Sequence, residues 1–358
     1  MGQALRGEIS RVRAWRISPK FGFASRRIIM LENTYTGKRI LVTGGTGSIG
    51  SEIVEQLLEF HPAVIRVYSR NEFNQYRFQE KWREHRNLRF LIGDIRDKER
   101  LTRACEDIDI IFHTAALKHV PACEYNPFEA VKTNVLGTQN LIEAALDNEV
   151  DKVIAINTDK SVSPINTMGA TKLLAEKIVI AANLYKGSHR TRFASVRFGN
   201  VIGSTGSVLP LFIQQIKQGG PVTITHPDME RFIMTIGQAV RLTLRAGAEA
   251  GGGEVFILKM PALKIADLAE VLIDMVGDKS NGKIELNFVG RRPGEKTYEE
   301  LLTPDESAYT EEREEMFVLR PFGEKRGSNF RTYSTNSNGM LDKDGIKKFL
   351  IDHDLVNG

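Results

Sequence analysis

The stretch Arg39-Ile40-Leu41-Val42-Thr43-Gly44-Gly45-Thr46-Gly47-Ser48-Ile49-Gly50 decides the fold. A run of apolar and β-branched residues reads as a buried strand, and the glycine spacing G-x-x-G-x-x-G follows it at once. The segment Ser51–Phe60 then has a helical pattern. Glycines in a strand-loop-helix context permit a tight turn and close backbone approach, and the helix N-terminus faces a pyrophosphate. We therefore expect a nicotinamide dinucleotide to lie against Gly44, Thr46, Gly47, Ser48, Ile49 and Gly50.

On the C-terminal side the same alternation continues. Strands are expected at Ile65–Ser69, Arg89–Ile92, Ile108–His113, Lys152–Asn157 and Arg192–Arg197, with helices at Glu72–Arg83, Lys98–Cys105, Phe128–Asn148 and Thr171–Ala182. Strands alternating with helices imply an α/β, doubly wound parallel sheet of the Rossmann type covered on both faces. Beyond about Gly203 the alternation loosens, and Gly219-Gly220-Pro221 and Gly251-Gly252-Gly253 mark turns. The expected division is a nucleotide-binding domain over residues 30–203 and, over 204–358, mainly a smaller substrate-binding lobe with a C-terminal tail. Ala262–Met275 and Lys343–Ile351 read as helices of that lobe.

Residues 1–29 form a basic leader, with Arg6, Arg11, Arg13, Arg16, Lys20, Arg26 and Arg27 against Glu8. No continuous apolar stretch accompanies them, so a secretory signal is not expected. A disordered leader ahead of Met30 and a functional basic arm are the two readings. The whole chain of 358 residues carries a formal net charge of +4 with acids and bases interleaved, which argues against a nucleic-acid partner. Two cysteines fit a reducing compartment, the cytoplasm by default, and exclude a disulfide framework. We expect no bound metal, and no apolar run reaches the roughly 20 residues of a membrane span.

The second strand ends in Tyr68-Ser69-Arg70, where an NAD-selective site would place an acid on the ribose. A hydroxyl from Ser69 and a guanidinium from Arg70 suit a 2′-phosphate instead, so NADP is favoured over NAD. Asp94 and Ile95, after the third strand, are placed to meet the adenine. Ala115 and Ala116, with Lys118 on the same turn, are placed to lie along the cofactor.

More than a hundred residues past the glycine loop come Asn157-Thr158-Asp159-Lys160 and Met168-Gly169-Ala170-Thr171-Lys172. Together with Gly93-Asp94-Ile95-Arg96-Asp97, Ala116-Leu117-Lys118-His119-Val120-Pro121, Arg197-Phe198-Gly199-Asn200-Val201, Pro227-Asp228-Met229-Glu230-Arg231-Phe232 and Arg292-Pro293-Gly294-Glu295-Lys296, they carry a resemblance. From about Met30 onward the chain resembles the extended short-chain dehydrogenase/reductase superfamily. Within it, the chain is similar to the inverting UDP-N-acetylglucosamine 4,6-dehydratases of flagellin-glycan and polysaccharide synthesis.

The superfamily usually carries Y-x-x-x-K in its active site. Lys172 stands at the lysine position, where it would also bind the nicotinamide ribose, and Met168 at the tyrosine position. Methionine cannot take or give a proton. A capsule-synthesis branch is similar in having methionine there. The resemblance implies oxidation at C4 of a UDP-sugar, loss of the C5 proton and the 6-hydroxyl, and return of hydride to C6. Lys160 is the expected base and Asp159 the expected acid. Thr158 is expected to hold the 4-hydroxyl, with Lys172 receiving its proton. For the nucleotide sugar the resemblance implies Lys118, His119, Asn200, Val208, Arg231, Arg292 and Glu295, with the two arginines on the diphosphate. His119 alternatively caps its loop. A homo-oligomer is implied, with a hexamer among the options. The rivals are a UDP-hexose 4-epimerase and, in a different class, a non-catalytic NADP-binding regulator.

Overall fold

The computed structural model describes residues 23–204, 206–277, 284–323, 325, 332–337 and 339–356. Six strands follow one another in the first half: β1 (Arg39–Thr43), β2 (Val64–Ser69), β3 (Leu88–Ile92), β4 (Ile110–His113), β5 (Lys152–Thr158) and β6 (Arg192–Phe198). The second half supplies β7 (Asn200–Ile202), β8 (Val222–Ile224), β9 (Glu230–Thr235), β10 (Val255–Leu258), β11 (Ala262–Lys264), β12 (Leu286–Phe288), β13 (Glu300–Leu302), β14 (Thr310–Glu312), β15 (Met316–Leu319) and β16 (Tyr333–Ser334).

Nine of these form one sheet in the order β14-β15-β10-β6-β5-β4-β1-β2-β3. From β3 through β10 the neighbours run parallel; β15 is antiparallel to β10, and β14 to β15. Every residue of β4 is buried, as are those of β10 and β15, because helices cover both faces and no solvated side is left to alternate. The order reverses between β1 and β4, and the crevice outside the carboxyl ends of those strands is where such sheets bind ligands.

The sheet does not stop at residue 203, where the sequence placed the domain division. β10, β14 and β15 come from beyond it and complete the sheet. A second apolar cluster does form in the later chain, around Leu209, Phe212, Val222, Leu268, Leu272, Ile346 and Leu350. It lies among β7-β9-β11, β8-β12 and the helices Val208–Lys217, Ile265–Val276 and Lys343–Asp352.

Two helices differ from expectation. The span Phe128–Asn148 divides into a turn at Pro127–Ala130, a π-helix at Val131–Leu136 and a regular helix at Gly137–Asp147. The wide turn carries Asn134, whose amide donates to Leu117 O (3.0 Å) and accepts from Leu117 N (2.8 Å). Such insertions concentrate at functional sites. The expected helix Ala262–Met275 opens instead as β11, paired with β9, and turns helical only at Ile265.

The leader expected over 1–29 is also cut short, because a helix spans Phe23–Tyr35 across that boundary. Its Tyr35 is fully buried and donates to Leu244 O at 2.6 Å. Arg27 pairs with Glu315 at 2.9 Å and also with Glu314. Residues 1–22 lie outside the described residues. Among the described residues no helix is long and apolar enough to cross a membrane, and no group of His, Cys, Asp and Glu could hold a metal ion.

Candidate active site

The glycine loop joins β1 to the helix Ser48–Leu58. Gly44 has φ +68°, and a Cβ there would stand 2.8 Å from Ala115 N, so only glycine fits. A Cβ on Gly50 would come within 2.3 Å of Gly44 O. Gly47 caps the helix with no side-chain hydrogen bond to its first turn, leaving a backbone cradle of the kind that receives a pyrophosphate. The residues present therefore fit a dinucleotide.

At the end of β2, Ser69 Oγ accepts from Thr46 Oγ1 (3.1 Å) and Gln75 Nε2 (3.1 Å). Gln75 also donates to Leu91 O, fixing the start of the expected ribose site. Arg70 is exposed, and its guanidinium faces Asp94 at 3.7 Å. Burial raises the Asp94 carboxyl, but Arg96, which grips it at 2.7 Å, and Arg70 outweigh that and hold it below the usual range. Ile95 is buried against Gly137, which is why that helix needs a glycine there. Ala115 and Ala116 lie on the turn after β4, beside the glycine loop.

The helix Thr167–Tyr185 starts earlier than its sequence pattern because Asn166 caps it, its Oδ1 accepting from Gly169 N at 2.7 Å. It thereby carries both Met168 and Lys172. Lys172 Nζ donates to Ile156 O at 2.6 Å, and burial pushes its pKa down to about 8. Met168 packs with Cys123, Ala130, Leu117 and Val120 in a small apolar cluster. Its thioether is therefore a packing element.

At the end of β5, Asp159 is fully buried. Its Oδ1 accepts from Thr158 Oγ1 (2.7 Å) and Lys160 Nζ (3.0 Å), while its Oδ2 has no hydrogen-bond partner among the described residues. Lys160 Nζ also reaches Asn200 Oδ1 at 3.3 Å and Glu299 Oε1 at 3.5 Å. Burial disfavours the ammonium, but Asp159 and Glu299 together raise the Lys160 pKa above its ordinary value. Thr158, Asp159 and Lys160 are thus gathered at one place, and Asn200, expected among the nucleotide-sugar residues, joins them through Lys160.

The expected substrate residues are more dispersed. Arg231 is buried; its Nη1 donates to Glu230 O at 2.7 Å, and its guanidinium faces Glu295 (3.7 Å) and Glu299 (3.8 Å). Arg292 is exposed, and its backbone N–H donates to Glu295 Oε2 at 3.2 Å. Val208 opens the helix Val208–Lys217 against the second cluster. Lys118 and His119 are exposed on one turn. His119 makes no side-chain capping bond to the helix that follows, and a Cβ on Gly206 would stand 3.1 Å from its Cε1.

With this geometry in place, comparison with known proteins is decisive. Residues 40–321 match the family described as polysaccharide biosynthesis protein. The chain belongs to that family. It is 56% identical over 324 residues to an uncharacterized membrane protein of Methanocaldococcus jannaschii, covering 89% of this chain and 97% of that protein. It is 41% identical over 316 residues to the UDP-N-acetylglucosamine 4,6-dehydratase (inverting) of Campylobacter jejuni, covering 87% and 92%. A UDP-glucose 4-epimerase of Rickettsia rickettsii is 39% identical over 341 residues, covering 90% and 98%. Among solved structures, Pen from Bacillus thuringiensis superposes with a TM-score of 0.84 at 46% identity, covering 89% of this chain and 98% of that one.

Three features of this family member escaped the sequence reading. Glu299 is 2% exposed and faces Lys160, yet no motif singles it out in the sequence. Asn134 sat inside an unbroken helical pattern. Arg197, 1% exposed, donates to Glu176 (3.2 Å to Oε2), to Glu306 (3.0 Å) and to Leu301 O (2.8 Å). Glu176 in turn accepts from Asn157 Nδ2 at 2.5 Å, directly before Thr158-Asp159-Lys160. The one available signal was Arg197 itself, an arginine near the end of a strand whose pattern is buried from Phe193 onward.

Proposed function

We propose that this protein is an NADP-dependent UDP-N-acetylglucosamine 4,6-dehydratase that inverts C5. The observation that carries the reading is the buried Asp159–Lys160 hydrogen bond of 3.0 Å at the end of β5. A 4-epimerase has no hydroxyl to expel and no use for a paired base and acid there. The bound dinucleotide supplies hydride acceptance at C4 and hydride return at C6.

The chain's own residues manage the protons. Transfer of one proton from Lys160 Nζ to Asp159 Oδ1 leaves a neutral amine and a carboxylic acid. The amine takes the C5 proton, which a C4 ketone makes acidic, and the acid protonates the departing O6. Thr158 Oγ1 orients this acid through its 2.7 Å hydrogen bond. Lys172, pushed by burial to about 8, is partly neutral near physiological pH and suits the 4-hydroxyl proton. Met168, buried in its apolar cluster, takes no part.

Arg70, at the end of β2, supports NADP over NAD. The second apolar cluster is the proposed nucleotide-sugar lobe, with Arg292 the exposed cation at the diphosphate and Arg231 held behind it. We further propose that the protein works as a homo-oligomer.

Incubation with NADP and UDP-N-acetylglucosamine in heavy water tests the reading. The expected product is lighter by one water, carries deuterium at C5 and has the opposite C5 configuration. Asp159→Asn should keep hydride removal from C4 and lower water loss by about 10²–10⁴. Interconversion with the C4 epimer, with no mass loss and no C5 deuterium, would make the protein an epimerase. Cofactor binding without turnover would make it a regulator.

A further inference from the structure

Lys160 lies between two carboxylates, and only one of them has a role in the elimination. Asp159 Oδ1 is hydrogen-bonded to Nζ at 3.0 Å; Glu299 Oε1 stands on another side at 3.5 Å. Glu299 is contributed by the chain just before β13, and its backbone is clamped to Thr335: Glu299 N donates to Thr335 Oγ1 (3.2 Å) and Thr335 N to Glu299 O (2.9 Å). Its Oε2 is buried with no hydrogen-bond partner among the described residues. A carboxylate is costly to hold in such a place unless neighbouring charges offset it. The neighbours are Lys160 and, at 3.8 Å, the Nε of Arg231, whose Nη1 is hydrogen-bonded to Glu230 O. Lysine has a long flexible stem and an ammonium without directional preference, so a carboxylate held in place by its backbone decides where its nitrogen rests. Burial raises the Glu299 carboxyl above its ordinary range, and Lys160 and Arg231 oppose that rise.

We propose that Glu299 is a positioning residue that holds the Lys160 nitrogen between itself and Asp159 and governs how readily that nitrogen gives up its proton. The inference rests on the reading of Lys160 as the C5 base. Glu299 forms no bond to the sugar. The proton still passes along the hydrogen bond to Asp159, and the amine then takes the C5 proton, so nothing enters or leaves through Glu299.

The charged groups around the pair fix the sign. Asp159 comes from the end of β5, Arg231 and Glu230 from β9, and Glu295 and Lys296 from the loop before β13; Asn200 of β7 is neutral. Removing the Glu299 charge takes away one of the two carboxylates that favour the Lys160 ammonium and leaves Arg231, which disfavours it, in place. The ammonium is then less favoured, and the amine form appears at lower pH.

C5 deuterium uptake from heavy water, measured with UDP-N-acetylglucosamine and NADP across the pH range, reads this directly in full-length wild type, Glu299→Gln and Glu299→Asp. The acid limb of the profile should move down by about 1–3 pH units in Glu299→Gln, the usual effect of one nearby charge. Glu299→Asp, whose carboxylate is drawn back by one methylene, should fall between. KM should stay within about threefold while kcat drops, since the hold is on the base and not the substrate. A folded Glu299→Gln with an unmoved limb overturns the proposal. If that variant fails to melt cooperatively, an unmoved limb in Glu299→Asp overturns it equally. Wild type that neither exchanges C5 nor loses water overturns the dehydratase reading and this inference with it. Exchange in wild type with unmoved variants overturns this inference alone.

Discussion

Replacing Arg197 with methionine tests whether the buried ionic network under β5 and β6 holds the site's floor. The guanidinium is 1% exposed, between Glu176 at 2% and Glu306 at 18%. Methionine matches much of the apolar stem but abandons two carboxylates and Leu301 O. Breaking a buried pair by removing one partner costs about 3–5 kcal/mol, because the charge left behind has neither water nor a counter-ion. That predicts a melting temperature lower by roughly 10 °C at neutral pH. The pH dependence has a definite sign. Burial raises the Glu306 carboxyl, but Arg197 more than compensates and holds it below its ordinary value. Its contribution is therefore present above the unfolded carboxyl pKa of about 4.3 and is lost as pH falls through the lower folded value. The gap between wild type and Arg197→Met should begin to narrow while the pH is still above about 4.3, because Glu306, buried without its counter-ion in the variant, takes a proton there, and should go on narrowing as the pH falls through the lower folded value in wild type. Circular-dichroism melts at several pH values give the answer. A neutral-pH difference under about 1 kcal/mol, or a gap that widens in acid, refutes the reasoning.

Arg70→Ala should weaken NADP binding by about 10- to 100-fold, the loss of one charge-assisted contact, and leave NAD unchanged. Paired fluorescence titrations decide it, and equal NADP affinity in both proteins removes Arg70 from the site. Met168→Leu should cost less than about 1.5 kcal/mol and keep most of the turnover, since the volumes are similar and the cluster is apolar. A loss of activity as deep as that of Lys172→Ala would show that the thioether acts in the reaction.

What was legible in the sequence was what the chain does locally. β1, the glycine loop and the helix after it are dictated by a dozen consecutive residues, and the strands β1 to β6 fall within two residues of their expected bounds. That Asp159 and Lys160 stand together at the end of β5 was legible because they are neighbours in the chain. Glu299 was not, since its burial depends on β9 and on Thr335, far away in sequence. Arg231 illustrates the same limit in reverse: an arginine expected to face a diphosphate is instead enclosed by Glu295 and Glu299. Three strands joined the main sheet from a region whose own pattern is too interrupted to announce them. The π-helix went unread because one extra residue per turn barely disturbs hydrophobic periodicity, while the Asn134 hydrogen bonds that stabilise it are invisible without Leu117 beside them.

The segment 294–299 is stitched to the segment 158–169 at several points. Asn166 Nδ2 donates to Gly294 O at 2.8 Å, Lys296 Nζ to Val162 O at 2.7 Å, and Glu299 meets Lys160. Gly294 itself has φ +77°, and a Cβ on it would press to 2.8 Å from the Cβ of Asn166. For anyone recombining such enzymes, this sets the seam. A crossover placed between residues 170 and 290 would give Lys160, Val162 and Asn166 to one parent and the loop that braces them to the other. Chimeras that exchange the later part of the chain must therefore inherit 158–169 and 292–299 from the same one.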